Sequence, residues 1–145
     1  MGKYAEIIER LEKAEGPDRN LDWLIAEAAL GATRRDRMKG FIGEQPIWQY
    51  TVGTSSGSES VMIPAYTVSL DAAITLVERM LPGNFREISG PRKYLNIPSP
   101  VPARFRAEIT TDAWFDSYVG WGQSAPTALL IAMFKALEAR EETNA

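Results

Sequence analysis

The stretch Ala125-Pro126-Thr127-Ala128-Leu129-Leu130-Ile131-Ala132-Met133-Phe134-Lys135-Ala136-Leu137 holds one charged side chain, Lys135, and decides what kind of fold the chain needs. Ser124 ahead of it suits a helix N-cap, because its hydroxyl can take an unpaired first-turn amide. Pro126 is tolerated where such amides lack intrahelical partners anyway. A helix is therefore predicted over 125–140. At 3.6 residues per turn, Leu129, Ala132, Met133, Ala136 and Leu137 form the stripe expected to cover a sheet, and Leu130, Ile131 and Phe134 lie outside it. These three must also be covered. Two coverings stand open: other helices of the same chain, or a second subunit.

Upstream, 103–110 and 113–120 read as two strands of a hairpin around Thr111-Asp112, and 84–88 as a further strand. Ser89 to Pro102 is proline-rich and irregular. Ser69 can cap a helix over 70–81 whose inner face is Leu70, Ala73, Ile74 and Val77, with Asp71 near its positive end and Pro82-Gly83 as its stop. Residues 47–52 read as a strand, and 53–60 as a flexible Gly/Ser loop. At the N-terminus, Tyr4, Ile7, Ile8, Leu11 and Ala14 mark an amphipathic helix over 3–15. Gly16-Pro17 stops it, Asp18 or Asn20 caps a second helix over 20–31, and Leu21, Leu24, Ile25 and Ala28 form that helix's buried stripe. The order ααβαβββα describes a single α+β domain over 1–145: a helical hairpin (1–31), then a mostly antiparallel sheet of about four strands with helices packed on it as an α-β-α sandwich.

With 145 residues, 45% of them hydrophobic and 24% charged, the chain has the proportions of one globular domain. It has no cysteine, which excludes disulfides, zinc ribbons and thiol nucleophiles, and no histidine, which removes the usual general base and the commonest metal ligand. The N-terminus resembles neither a signal peptide nor a transit peptide, and no apolar run approaches bilayer-spanning length, so a cytoplasmic protein without a membrane partner is expected. The net charge of −3 is uneven. Residues 31–106 carry 10 basic and 6 acidic side chains, whereas both flanking regions are acidic, so the middle is where an anion would be accepted.

Three segments together resemble the phage ABA sandwich domain, a family of small bacteriophage and prophage proteins. They are Gly16-Pro17-Asp18-Arg19-Asn20-Leu21-Asp22, Pro64-Ala65-Tyr66-Thr67-Val68-Ser69-Leu70-Asp71-Ala72-Ala73 and Ala125 to Arg140. The resemblance implies a sheet between helical layers, a phage origin acting inside the bacterial host cell, and no established reaction. It supplies no catalytic residues. The chain departs from the family between Thr33 and Ser60 and at Glu78-Arg79-Met80.

Candidate ligand-binding residues are Arg34 and Arg35, with Arg37 and Lys39 nearby, and Arg92 and Lys93 beside Tyr94. Guanidinium groups can clamp phosphate while Trp48, Tyr50 or Tyr94 stacks on a base, although exposed charges of this kind are more often solvated or paired with Asp36 and Glu44. Candidate interface residues are Trp114, Tyr118 and Trp121 on the last hairpin, with Phe115 and Val119 on its core side, together with Leu130, Ile131 and Phe134 of the last helix. They point to a homo-oligomer, most simply a two-fold dimer. Glu108, Asp112 and Asp116 lack a motif for the remaining oxygen ligands of a divalent ion, and the 53–58 loop lacks the lysine of a P-loop, so neither metal nor cofactor is expected.

The leading expectation is a non-catalytic binding protein that sequesters a host signalling nucleotide or occupies a host protein. The alternative is a carboxylate-dependent enzyme without His or Cys, working through carboxylates or Arg and Lys alone, with Glu44, Asp112 and Asp116 as candidates. Double-stranded RNA binding is disfavoured, because Ala125-Pro126-Thr127 stands where phosphate-binding lysines belong.

Overall fold

A computed structural model describes residues 4–31, 33–34, 38–39, 46–47, 49–54, 57–92, 104–111 and 116–144. The elements run α1 (Ala5–Lys13), α2 (Arg19–Leu30), β1 (Thr33–Arg34), β2 (Met38–Lys39), β3 (Pro46–Ile47), β4 (Gln49–Thr54), β5 (Gly57–Met62), α3 (Leu70–Met80), β6 (Phe85–Arg92), β7 (Arg104–Thr110), β8 (Ser117–Gly122) and α4 (Ala125–Asn144). The α+β class and the four helices agree with the pattern read from sequence.

Cap chemistry sets the helix limits. Asp18 sits in extended backbone and its carboxylate accepts the Leu21 amide at 3.1 Å. Gly31 closes α2 in the left-handed region at φ 63°, its own amide returning to the Glu27 carbonyl at 3.0 Å. Ser69 Oγ accepts the Ala72 amide at 3.1 Å to open α3, and Ser124 Oγ accepts the Thr127 amide at 3.3 Å to open α4.

The main sheet is antiparallel in the order β6-β7-β8, with Ala107 opposite Gly120 and Arg106 opposite Trp121. A β-bulge between Ser89 and Arg92 shifts the β6–β7 register. β1, β4 and β5 form a second antiparallel sheet, and β2 pairs with β3. Part of the segment expected to be a Gly/Ser loop is thus strand. Gly53 pairs with Ser58 and Val52 with Glu59, because the Ser and Gly residues that suggested flexibility are compatible with a ladder whose bonds are made by backbone.

α4 lies on the sheet and is itself overlaid by α1 and α3. Every side chain from Ala128 to Phe134 is fully buried. The layer order is therefore refined: α4, rather than the sheet, takes the middle. The faces of α4 are also reassigned. A Cβ at Gly120 would collide with the Ala128 carbonyl and lie 2.7 Å from the Ala132 amide and 2.9 Å from Ile131 Cβ, and one at Gly122 would lie 2.6 Å from Thr127 Oγ1. The sheet thus meets the side of α4 that carries Thr127, Ala128, Ile131 and Ala132, where the missing side chains of Gly120 and Gly122 let the two backbones touch. Phe134 turns the other way, to Tyr4 ahead of α1, with ring centroids 5.3 Å apart and tilted by 40°. Of the stripe residues expected inside, Ile25 and Val77 are buried, whereas Leu24 and Ile74 are half-buried at the edge of the core. Among the described residues, no helix is long and apolar enough to cross a membrane.

Candidate functional site

Alternation along β7 sends Phe105, Ala107 and Ile109 toward α4, and Ala107 and Ile109 are fully buried there. Arg104, Arg106, Glu108 and Thr110 fall on the opposite face. Register adds Phe85, Glu87 and Ser89 from β6, and Ser117, Val119 and Trp121 from β8. None of these ten residues is buried, and Phe85 is 70% exposed, so this face is open where α4 closes the other.

Charge divides the open face into two ends. Arg106 stands directly opposite Trp121, Arg104 is the next residue along the same face, and position 92 of β6 lies opposite Arg104. Nε of Arg104 is shielded from solvent and has no hydrogen-bond acceptor among the described residues. Glu108 and Glu87 oppose one another at the other end, an arrangement of like charges that costs stability unless a cation intervenes. Arg106 offsets the charge of Glu108, Nη2 donating to Oε2 at 2.9 Å. The hydrogen bond from Arg106, aided by the Ser117 hydroxyl, holds the Glu108 carboxyl below the usual carboxylate range. Two guanidinium groups and an indole on a flat face suit an anion bearing a planar ring.

The predicted residues scatter. Arg34 and Tyr50 do meet as partners on β1 and β4, in the smaller sheet. Arg92 ends β6. Arg35, Trp48, Lys93, Tyr94, Trp114, Glu44 and Asp112 lie outside the described residues. Leu130, Ile131 and Phe134 are core residues, so the docking surface expected from them is replaced by contacts within the chain. Tyr118 is corrected as well: it shares the helix-facing side of β8 with Gly120 and Gly122 and packs against the core, and burial, with a smaller push from Asp116, raises its hydroxyl's pKa. Val119, placed in the core by sequence, faces outward with Trp121, because the strand phase is set by the glycines that α4 requires. Arg104 and Arg106 were not singled out from sequence. Their signal was the alternation Arg104-Phe105-Arg106, which puts both guanidinium groups on the side away from the half-buried aromatic.

Of the carboxylates named for catalysis, Glu44 and Asp112 lie outside the described residues, which leaves Asp116. Glu108 is engaged by Arg106, Asp116 is exposed, and no group of three metal-ligating side chains occurs among the described residues. The buried carboxylate is Asp22, 1% exposed, whose Oδ1 accepts the Thr67 amide at 2.7 Å and whose Oδ2 accepts Arg19 Nη1 at 3.0 Å. Arg19 also donates to the Ile63 carbonyl at 2.7 Å, and the Asp18 amide donates to Thr67 Oγ1 at 3.0 Å. This closed network bolts α2 to the turn before α3. A groove of about 670 Å3 between α1, α2 and the end of α4 has an apolar floor including Ile7, Leu24, Ala28 and Met80, and a second of about 290 Å3 lies along α3 between Asp71 and Arg79. Neither gathers side chains in a catalytic arrangement. Comparison with known protein families, curated proteins and solved structures finds no match to this chain.

Proposed function

We propose that the protein acts by binding rather than by catalysis, and that the open face of the β6-β7-β8 sheet takes a nucleotide. One observation carries the reading: Arg104 and Arg106 occupy alternate positions of the central strand, with Trp121 opposite Arg106. Guanidinium forks grip phosphate oxygens through paired N–H donors, and an indole offers a base a stacking surface. In the phage setting that the resemblance implies, the effect would be to hold a host signalling nucleotide out of circulation.

Isothermal titration of the full chain against a panel of mono-, di- and cyclic nucleotides tests this. Saturable binding of at least one nucleotide, accompanied by a change in tryptophan fluorescence and weakened in R104A and R106A, is the expected result. Silence across the panel, or binding that both variants leave intact, would overturn it.

A further inference from the structure

The contact between Arg106 and Glu108 says which base the open face suits. In it one guanidinium nitrogen, Nη2 of Arg106, donates to one carboxylate oxygen, Oε2 of Glu108, at 2.9 Å. The Watson–Crick edge of guanine offers such a donor with a second beside it, N1–H next to an N2 amino group, so it can serve both carboxylate oxygens. Adenine and cytosine set one amino group beside a bare ring-nitrogen acceptor, and uracil sets its single N–H between two carbonyls, so none of them presents two adjacent donors. Guanine can therefore take the place of Arg106 on Glu108 without leaving a carboxylate oxygen short of a donor. The displaced guanidinium is then available to phosphate beside Arg104, whose Nε already lacks an acceptor among the described residues.

We propose that this face selects guanine nucleotides, Glu108 reading the base edge and Arg104 and Arg106 holding the phosphates. The proposal rests on the reading that the face binds nucleotides at all. The division of charge agrees with it. Glu87 faces Glu108 across the strands, so that end of the sheet repels phosphate and attracts donors, and the arginine end does the reverse. Arg104 and Glu108 are four residues apart on one strand, roughly 13 Å, which gives the two ends of a nucleoside diphosphate separate places to bind. An ionised carboxylate offers only acceptors, which is what the two donors of the guanine edge require.

The test is isothermal titration with GDP, ADP, UDP and inorganic phosphate on the wild type, E108Q and R104A, with circular dichroism to check that each variant is folded. GDP should bind at least about tenfold more tightly than ADP or UDP, the scale of a charge-assisted hydrogen bond. E108Q should lower GDP to the level of ADP, because a carboxamide presents a donor where guanine needs an acceptor, and R104A should weaken GDP and ADP alike. Equal affinities for the three diphosphates in the wild type would overturn the selectivity and leave the nucleotide face standing. A GDP preference that survives E108Q would overturn the role of Glu108. No binding of any of the three diphosphates would overturn the guanine proposal, while the nucleotide face would fall only if the mono- and cyclic nucleotides were silent as well.

Discussion

Oδ1 of Asp22 in α2 accepts the backbone amide of Thr67 at 2.7 Å, joining positions 45 residues apart, and both residues are almost wholly buried. Asp22→Ala would strand that amide and release Arg19, and leaving a buried donor unsatisfied costs about 1–3 kcal/mol. Asp22→Asn keeps an acceptor for Thr67 and should cost less. Urea unfolding of the two variants should rank them in that order.

The same carboxylate has a pH signature. Burial raises the Asp22 pKa above its ordinary value, against the opposing pull of Thr67 and Arg19. A carboxyl that holds its proton more tightly when folded stabilises the fold fully below its unfolded pKa, and that contribution is lost as pH rises through the folded value. The stability of wild type relative to D22N should therefore fall as pH is raised from about 3 to about 7, read as urea midpoints across that range. A difference that stays flat or grows in favour of wild type would mean that Thr67 and Arg19 outweigh the burial.

Gly120 and Gly122 admit α4 to the sheet. Gly120→Ala should destabilise the domain by about 1–3 kcal/mol, the scale of an overpacked core, because the obstructing atoms belong to helix backbone and cannot turn aside. Gly16→Ala is the control, since a Cβ there meets nothing within 4 Å and the change should stay within about 0.5 kcal/mol. Thermal unfolding separates them.

Phe134→Ala should cost about 3–5 kcal/mol, since it opens a cavity against Tyr4 in the middle layer. Met133→Asp should cost more than Phe134→Ala and unfold a large share of the population, because an unpaired charge in a packed core costs about 3–5 kcal/mol and the lost side chain about 2–5 kcal/mol more, together comparable with the roughly 5–15 kcal/mol that holds a domain folded. Circular dichroism at room temperature distinguishes a folded from an unfolded population.

The surplus apolar side chains of α4 are all internal, so light scattering at micromolar concentration should give a mass near 16.1 kDa. Twice that mass would locate an interface on the remaining surface and would compete with ligand for the open sheet face.

The helices were legible in the sequence because capping is local: Asp18, Ser69, Ser124 and Gly31 each act within one turn. The rotation of α4 was not legible, because a helix apolar on nearly every side gives periodicity no face to report, and the contact that decides it is made by two glycines on another element. The role of Asp22 was not legible, since its partner Thr67 is distant in sequence. The strand over 57–62 was hidden by Ser and Gly, whose backbones pair as well as any other. The open face of the sheet needed the phase of β8 before Trp121 and Arg106 could be set side by side.

The close approach of α4 to Gly120 also settles a question of symmetry. A cylinder greasy all round can be turned about its axis at little cost in buried area, so water repulsion alone leaves its angle nearly degenerate. The notch at Gly120 and Gly122 breaks that degeneracy by shape, taking in the backbone of Ala128 and Ala132 and the Cβ of Ile131 where side chains at those glycines would otherwise stand. Blocking the notch should therefore cost uniqueness before compactness. A chain with its notch filled would remain collapsed, with far-UV dichroism kept, while the aromatic signals of Phe134 and Tyr4 blur as the helix samples several angles.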